Sequence, residues 1–352
     1  MSSPILDYRS DTFTRPTPAM RSAMAAAEVG DDVFDEDPTV HRLQDTVAEM
    51  LGKEAALFVP SGSMSNQIAV RLHSDPGDEF LCEAGCHIYN YEQGTFAQWG
   101  GVVARTIEGQ FGVLRPEQLL DKIRPENDHC VRTRLVTLEN THNRGAGRIQ
   151  PLEYVTAICD WAHEHGLRTH LDGARLWNAA VATGITPARW SAPFDTVSVC
   201  FSKGLGAPIG SALAGPRDMI RRARRLRKCL GGGMRQAGII AAGALYALQH
   251  HIDRLAEDHA HARQLAEIIH DVPGLKLTPP EIDTNMVIFR VAAELGTAAE
   301  FCARLKASGV LMLPVGPQLV RAVTHLDVTA ADIDRVREAI PAAPYGASRY
   351  RS

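Results

Sequence analysis

The sequence lacks the features that mark membrane proteins, disulfide scaffolds and polyanion binders. Its longest apolar run, from Ala237 to Leu248, has 12 residues, well short of the ~20 that a membrane-spanning helix needs. The seven cysteines are odd in number and scattered, which argues against a disulfide framework. No second Cys/His pair accompanies Cys82 and Cys86, so no zinc or other metal site is predicted. The formal net charge of −4 argues against binding to nucleic acid by the protein as a whole.

Targeting and nucleotide-binding signals are also missing. The stretch from Met1 to Asp7 has no basic region followed by an apolar core, so we predict no signal peptide. Scattered free cysteines indicate a reducing compartment, and a cytoplasmic location is expected. No GxGxxG follows the first predicted strand, which makes a nicotinamide dehydrogenase a poor candidate. A chain of 352 residues with 45% hydrophobic and 22% charged residues is typical of a globular protein with a large and a smaller domain.

From about residue 50, short apolar runs alternate with helical patterns, which is typical of βαβ units and a mainly parallel sheet. After the Gly231–Gly233 turn, helical patterns extend to about His270, and strands and a helix then predict a small α+β domain. We place the boundary near residue 247, which gives domains 1–247 and 248–352, with a loosely ordered tail over 341–352. The predicted strands are 56–59, 80–82, 135–138, the strands that end before Asp172 and Lys203, 285–289 and 319–324.

The most informative residues are a lysine and an aspartate that each follow a predicted strand. Lys203 follows the apolar run 196–201, and Asp172 ends a second apolar stretch about thirty residues earlier. Pyridoxal phosphate (PLP) enzymes of the α/β class need such a pair. The lysine forms a Schiff base, and the aspartate keeps the pyridine nitrogen protonated so that the ring accepts electrons. The pair therefore predicts an amino-acid enzyme with PLP as its cofactor.

Other motifs fit that prediction, although each has an ordinary structural explanation when it is taken alone. The segment 61–66, Ser-Gly-Ser-Met-Ser-Asn, is a strand-to-helix turn that suits an anion, and it is equally a plain helix cap. Arg175 follows Asp172 and could favour an ionised ring oxygen, or form a surface salt bridge. His87 could stack on a cofactor ring, and Arg321 could clamp a carboxylate. A structural histidine and a solvent-facing arginine are the alternatives.

The run from Arg221 to Lys228 has six basic residues in eight. Such runs are usually solvated helix faces, and one could bind nucleic acid in a non-catalytic protein. This run has no interleaved aromatic residues, and the net charge of the chain is negative. The segment 231–236, Gly-Gly-Gly-Met-Arg-Gln, follows directly. A phosphate or subunit-interface role therefore fits better than a nucleic-acid role.

Taken in order, these segments resemble the low-specificity L-threonine aldolases of the β-eliminating lyase family, PLP enzymes with the aspartate-aminotransferase fold (fold type I). The resemblance runs from about residue 7 to about residue 330. The matching stretches are 9–12 and 14–17, 30–33 and 36–39, 87–89, 139–143 (Glu-Asn-Thr-His-Asn), 171–176 (Leu-Asp-Gly-Ala-Arg-Leu), 202–208 (Ser-Lys-Gly-Leu-Gly-Ala-Pro), 231–236 and 324–328. The number of ordered matches makes the assignment specific.

The resemblance implies a role for residues at the matching positions, and an active site shared across a homodimer or homotetramer. Lys203 is the implied Schiff-base lysine, with Asp172 and Arg175 at the ring nitrogen and the ring oxygen. The implied phosphate ligands are Gly62 and Ser63 with Lys228 and Arg235 of a neighbouring subunit. The implied stacking residue is His87, the implied substrate carboxylate site is Ser10, Arg175 and Arg321, and His142 is implied to lie near the substrate hydroxyl.

The implied reaction is a reversible retro-aldol cleavage of L-threonine, L-allo-threonine and related β-hydroxy-α-amino acids such as phenylserine to glycine and an aldehyde. The catalytic base is His87 or His142, directly or through a water, and the sequence leaves both open. β-Elimination, racemisation and glycine transfer to a new aldehyde are the alternative reactions. The chain departs from the family at Phe34-Asp35, where Tyr-Gly is frequent, at Ser63, at Cys86, at Gln93 and over 96–99. These departures bear on substrate preference.

Overall fold

The computed structural model describes residues 5–343. The strands in chain order are β1 (Leu6–Asp7), β2 (Ala55–Val59), β3 (Asp78–Glu83), β4 (Val103–Ile107), β5 (Arg132–Glu139), β6 (Arg168–Gly173), β7 (Thr196–Cys200), β8 (Ser211–Gly215), β9 (Leu275–Leu277), β10 (Met286–Val291), β11 (Val310–Leu311), β12 (Leu313–Gly316) and β13 (Leu319–Val323). The helices are α1 (Pro18–Ala25), α2 (Pro38–Leu51), α3 (Gly62–His73), α4 (His87–Asn90), α5 (Thr95–Gln98), α6 (Leu152–Glu164), α7 (Leu176–Thr183), α8 (Pro187–Ser191), α9 (Arg217–Cys229), α10 (Gly238–His250), α11 (Leu255–His270), α12 (Ala298–Ala307) and α13 (Ala330–Ala342).

The larger sheet has seven strands in the order β2-β8-β7-β6-β5-β3-β4. Only β8 runs antiparallel to its neighbours β2 and β7, while β3 to β7 pair in parallel. Every residue of β7 is buried, because helices cover both faces of a sheet of this kind. Parallel strands point their carboxyl ends to one edge, and that edge is where α/β proteins bind ligands.

The second sheet is antiparallel and has the order β12-β13-β10-β9. A separate apolar core forms around it from α11, α12 and α13, and that core includes Leu6 and Tyr8 from the start of the described chain. The N-terminal strand β1 accordingly pairs with β11. The chain is therefore an α/β unit with a mainly parallel sheet plus a small α+β unit, as the sequence predicts.

The domain boundary near residue 247 stays a prediction; that position lies inside α10, which is continuous from Gly238 to His250. The predicted loosely ordered tail, 341–352, begins in the last turn of α13, and its residues after 343 lie outside the described chain. Residues 1–4 of the segment 1–7 also lie outside the described chain. No helix within residues 5–343 combines the length and apolarity that crossing a bilayer requires.

Local sequence accounts for the helix that faces the carboxyl edge of the large sheet. Helix α3 is capped by Ser61, whose hydroxyl accepts a hydrogen bond from the Met64 amide at 3.2 Å. The first amides of a helix have no partner within it, so those of Gly62 and Ser63 are available to a ligand. The predicted helix from Met64 to Leu72 is thus confirmed and begins two residues earlier.

Candidate active site

Strand ends bring the predicted residues to one edge of the large sheet. Asp172 lies in β6 opposite Ser198 of β7, and Lys203 follows three residues after β7 ends at Cys200. Glu139, the last residue of β5, pairs with Asp172 on the other side. The carboxyl ends of β5, β6 and β7 thus place these side chains around a common space.

That space is a cavity of about 280 Å³. The predicted residues that line it are Ser10, Gly62, Ser63, His87, Asp172, Arg175, Lys203 and Arg321. The other residues in the lining that bear on the argument are Asn66, Glu139, Asn143 and Cys200. The structure therefore brings together an amine, a carboxylate, an imidazole, two guanidinium groups and the start of a helix.

Three predicted residues are not in this lining. His142 is buried, with 1% of its side chain exposed, and its Nε2 lies 2.8 Å from Glu83 Oε2. Burial alone would lower the pKa of His142, but the charges of Glu139 and Glu83 raise it above the ordinary value. Lys228 and Arg235 are exposed, and Arg235 pairs with Asp31 at 3.0 Å.

The lysine end of the cavity is built by close contacts. Lys203 Nζ lies 3.5 Å from Cys200 Sγ, and the Lys203 carbonyl accepts a hydrogen bond from Thr14 Oγ1 at 3.0 Å. A Cβ at Gly62 would lie 2.8 Å from the same sulfur, closer than side-chain carbons approach. Glycine at the helix start therefore lets the backbone of α3 come against β7, beside the lysine amine.

Asp172 is held in place by neighbours on helix α3 and in its own turn. Its Oδ2 accepts from Asn66 Nδ2 at 2.8 Å, and its Oδ1 accepts from the Ala174 amide at 3.1 Å. The carboxylate is 2% exposed. These donors fix the orientation of the Asp172 carboxylate at the cavity wall.

Two buried histidines fix the orientation of Asn66 in turn. Burial lowers the pKa of His170 to about 4 and that of His73 to about 3, so both rings are neutral at pH 7. Asn66 Oδ1 lies 3.2 Å from His170 Nε2, and Thr196 Oγ1 lies 2.9 Å from His170 Nδ1 and 2.8 Å from His73 Nε2. Asn66 directs its amide hydrogens at the carboxylates of Glu92 and Asp172, so its Oδ1 faces His170 and must accept a hydrogen bond from His170 Nε2. Because neutral His170 then carries its proton on Nε2, its Nδ1 accepts a hydrogen bond from the Thr196 hydroxyl.

His87 opens the short helix α4 at the rim of the cavity. Its Nδ1 lies 2.8 Å from Glu92 Oε1, and its backbone amide donates to Glu139 Oε2 at 2.6 Å. Burial would lower the pKa of His87, but the hydrogen bond to Glu92 and the charges of Asp172 and Glu92 raise it above the ordinary value. His87 is thus a fixed, partly exposed imidazole whose protonation responds to its carboxylate neighbours.

Arg175 lines the cavity and forms an ion pair with an internal partner, Asp11. Its Nε and one terminal nitrogen donate to the two oxygens of Asp11 at 2.7 and 2.8 Å, a bidentate pair. Asp11 is 0% and Arg175 5% exposed. Burial would raise the pKa of Asp11, but the charge and hydrogen bonds of Arg175 lower it well below its usual range. The positive charge of Arg175 is therefore compensated.

Arg321 reaches the cavity from the small sheet and keeps an open donor. It lies in β13 between β12 and β10, and it donates to Asn143 Oδ1 at 3.0 Å and to the Arg9 carbonyl at 3.2 Å. Its Nε is buried and has no hydrogen-bond partner within the described residues. Burial, with the nearby charge of Arg175, lowers its pKa to about 10, which leaves it cationic at neutral pH.

Sequence reasoning assigned no role to several residues that shape the cavity: Asp11, Asn66, Glu92, Glu139 and Cys200. Asp11 and Glu139 lie inside motifs that carried the family resemblance, so the sequence marked both positions but did not indicate what their side chains do. The contacts of Asn66 with Asp172 and of Asp11 with Arg175 span 106 and 164 positions, and no local pattern predicts them.

The comparisons with known proteins agree with this geometry. The family model described as beta-eliminating lyase matches residues 7–292. The chain is 43% identical to the low specificity L-threonine aldolase of Escherichia coli K12, over 94% of this chain and 97% of that protein. It is 41% identical to low-specificity L-threonine aldolase 1 of Arabidopsis thaliana, over 93% of each chain. The chain belongs to the β-eliminating lyase family. The resemblance seen in the sequence is thereby confirmed.

Solved structures of this fold confirm the predicted architecture of the β-eliminating lyase. The threonine aldolase of Leishmania major superposes with a TM-score of 0.81 at 22% identity, over 96% of this chain and 99% of that chain. The serine palmitoyltransferase of Sphingomonas wittichii gives 0.75 at 18% identity, over 96% and 87%. At such identities the likeness shows the fold alone, which is fold type I of the PLP enzymes.

Proposed function

We propose that the protein is a PLP-dependent aldolase that reversibly cleaves L-threonine, L-allo-threonine and related L-β-hydroxy-α-amino acids, such as phenylserine, to glycine and an aldehyde. The observation that carries this proposal is the convergence of Lys203, Asp172 and Arg321 on one cavity. The relatives that match over nearly the whole chain carry this activity in their names.

The cavity residues fit PLP as the cofactor. The Lys203 amine is the group that can condense with its aldehyde, and the Asp172 carboxylate suits a protonated pyridine nitrogen. The helix start at Gly62 and Ser63 suits a phosphate, because free amides and the helix dipole favour an anion there. A Cβ at Gly62 would press on Cys200 Sγ, so glycine lets this helix start lie against β7 beside Lys203. Bound PLP supplies the electron sink for the pair released when the Cα–Cβ bond breaks.

Arg321 is the proposed anchor of the substrate carboxylate. Arg175 is paired with the Asp11 carboxylate, whereas Arg321 lines the cavity and has no carboxylate partner within the described residues. A guanidinium without a carboxylate partner suits the α-carboxylate of an amino acid. Held there, the substrate has its Cα fixed near Lys203, and this orientation is a large part of the catalytic effect.

His87 is the proposed base for the β-hydroxyl proton. It lines the cavity, whereas His142 is buried beside Glu83 and is absent from the lining. The sequence left both histidines open, and the geometry favours His87. His87 Nδ1 faces Glu92, so Nε2 is the nitrogen that can accept a proton from the substrate.

The role of Lys228 and Arg235 remains a proposal about a partner subunit. Neither residue lines the cavity of its own chain, and Arg235 is 57% exposed beside the exposed ring of Phe34. We infer a homodimer, or a tetramer built from it, in which these cations approach the phosphate of the neighbouring site. The cytoplasmic location likewise stays a prediction.

Subunit complementation tests the shared site. A Lys203→Ala chain and an Arg235→Ala chain, unfolded and refolded together, would form mixed dimers with one intact site each. Random pairing would restore about a quarter of the wild-type activity. The same mixture made without unfolding, so that subunits do not exchange, is the control. No recovery in verified mixed dimers would show that each chain completes its own site.

Product analysis tests the reaction itself. The purified protein is loaded with PLP and offered L-threonine, L-allo-threonine and L-phenylserine in parallel. Equimolar glycine and aldehyde are expected from at least one of them, with none from the Lys203→Ala variant. Release of a keto acid and ammonia would point to β-elimination. Formation of the Cα epimer without cleavage, D-allo-threonine from L-threonine, would point to racemisation.

A further inference from the structure

We propose that Glu92 is a positioning residue of this active site, which fixes the tautomer of His87 and ties that imidazole to Asp172 through Asn66. Glu92 belongs to no motif that the sequence analysis assigned a role. Its side chain is completely buried, yet it receives hydrogen bonds from three side chains. These are His87 Nδ1 at 2.8 Å, Asn66 Nδ2 at 2.9 Å and Gln67 Nε2 at 2.5 Å.

The direction of each hydrogen bond follows from the chemistry of the groups. Asn66 Nδ2 donates one hydrogen to Glu92 Oε1 and the other to Asp172 Oδ2. The reversed amide would point its oxygen at two carboxylates and lose its contact with the His170 N–H, so this orientation is fixed. Glu92 acts only as an acceptor, and His87 must therefore carry its proton on Nδ1. The unprotonated Nε2 of neutral His87 has no partner among residues 5–343 and remains free for a substrate.

His87, Glu92 and Asp172 have potential metal-ligand atoms that lie within 4.8 Å of one another. Such a spacing is compatible with a cation site. The Asn66 amide hydrogens bridge the two carboxylates instead. A metal ion would have to displace these donors and the imidazole N–H. A hydrogen-bonded network therefore accounts for the cluster better than a metal ion does.

Glu92 is the carboxylate that hydrogen-bonds directly to the His87 ring. The charged groups that face the ring are Glu92, Asp172 and Glu139, against the cost of burial. Burial also raises the pKa of Glu92, which its hydrogen bonds with His87 and Gln67 oppose. Replacing Glu92 by glutamine removes the negative charge that contacts His87 and keeps the shape of the side chain. The pKa of His87 should then fall, because only the charges of Asp172 and Glu139 still oppose the lowering of the pKa by burial.

NMR of the full-length protein with labelled histidine rings tests the proposal directly, before and after PLP is added. The His87 signal is assigned by its loss in His87→Asn. In the wild type, neutral His87 is expected to carry its proton on Nδ1, and in Glu92→Ala both tautomers are expected. The Glu92→Gln variant, which retains the packing, should show a lower titration midpoint for His87. A neutral wild-type ring protonated on Nε2, or an unchanged midpoint in Glu92→Gln, would overturn the proposal.

Glu83→Gln is the matched control, because Glu83 stands 2.8 Å from a different histidine, His142. It should change the titration of His142 and leave that of His87 in place. A shift of His87 as large as that in Glu92→Gln would show a general structural effect and contradict the assignment to Glu92.

The catalytic consequence rests on the function proposed above. In Glu92→Gln, kcat should fall on the order of tenfold, the loss expected for a charge-assisted hydrogen bond. The acidic limb of the pH profile should move to lower pH, while KM changes little. The NMR result needs no turnover, so the two claims can fail separately. Correct tautomer without aldolase activity refutes the function alone, and aldolase activity with the wrong tautomer refutes the role of Glu92.

Discussion

Replacing Asp11 by asparagine should destabilise the protein far more than replacing Asp7, a partly exposed carboxylate four residues earlier. The buried Arg175 guanidinium would lose its anionic partner. The NH₂ group of the asparagine side chain would also face one of the two Arg175 N–H groups that now donate to Asp11 at 2.7 and 2.8 Å. Breaking a buried ion pair from one side costs about 3 to 5 kcal/mol, because the remaining charge has no compensation. We use the lower end of that range.

A loss of about 3 kcal/mol, at roughly 2 °C per kcal/mol for a chain of this size, lowers the unfolding temperature by about 6 °C. Differential scanning calorimetry at neutral pH measures it. Asp7→Asn is the matched control, because Asp7 contacts Arg9 through the same two nitrogens at 2.9 and 2.6 Å but both side chains are partly exposed. Such a pair contributes about 1 kcal/mol or less. Equal losses in the two variants would refute the reasoning.

The pH dependence of this difference has a defined sign. Arg175 holds the pKa of Asp11 below its usual range, so the folded state binds its proton less readily than the unfolded state does. The stabilisation is complete above the unfolded pKa of about 3.9 and is lost as the pH falls towards the folded value. The difference in free energy of unfolding between wild type and Asp11→Asn should therefore shrink below about pH 4.

Further variants separate the parts of the site. Arg321→Gln should raise KM for the amino acid on the order of a hundredfold, with a smaller change in kcat, because the anchor of the substrate carboxylate is lost. Steady-state kinetics measures both constants, and a fall in kcat with an unchanged KM would contradict this role. Gly62→Ala should weaken PLP binding about tenfold by overpacking against Cys200, and Gly62→Ala with Cys200→Ala should recover it. Fluorescence titration of the cofactor would contradict this packing argument if the double variant still bound PLP weakly. His87→Asn should lower kcat about a hundredfold, whereas His142→Asn should mainly reduce the unfolding temperature; the reverse pattern would make His142 the base.

Much of the fold could be predicted because the apolar runs are local signals. The strands before Asp172 and Lys203 are continuous buried segments, as expected for the middle of a parallel sheet. In the large sheet, β4 and β8 were not predicted. β4 has β-branched residues but is largely exposed or half-buried and lacks a continuous apolar run. β8, with the sequence Ser-Ala-Leu-Ala-Gly, has none of the β-branched or aromatic residues that mark a strand.

The site was predictable where chemistry follows a strand end, and less so where one side chain supports another. Lys203 and Asp172 stand out because their position in the chain suggests a role. Asn66 stands at the end of the segment 61–66, which suggested an anion site but no role for its amide, and Glu92 follows helix α4 outside every motif. Their importance comes from contacts with Asp172 and with each other, which exist only once the strands have brought distant segments together.

The most direct test of the central claim is the cleavage of L-threonine, followed with and without Lys203. The PLP-loaded wild type should release glycine and acetaldehyde in equal amounts, and Lys203→Ala, with its fold verified by circular dichroism, should release neither. Undiminished cleavage by Lys203→Ala would contradict the assignment of this cavity. A wild type that binds PLP but forms no aldehyde from L-threonine, L-allo-threonine or L-phenylserine would contradict the aldolase.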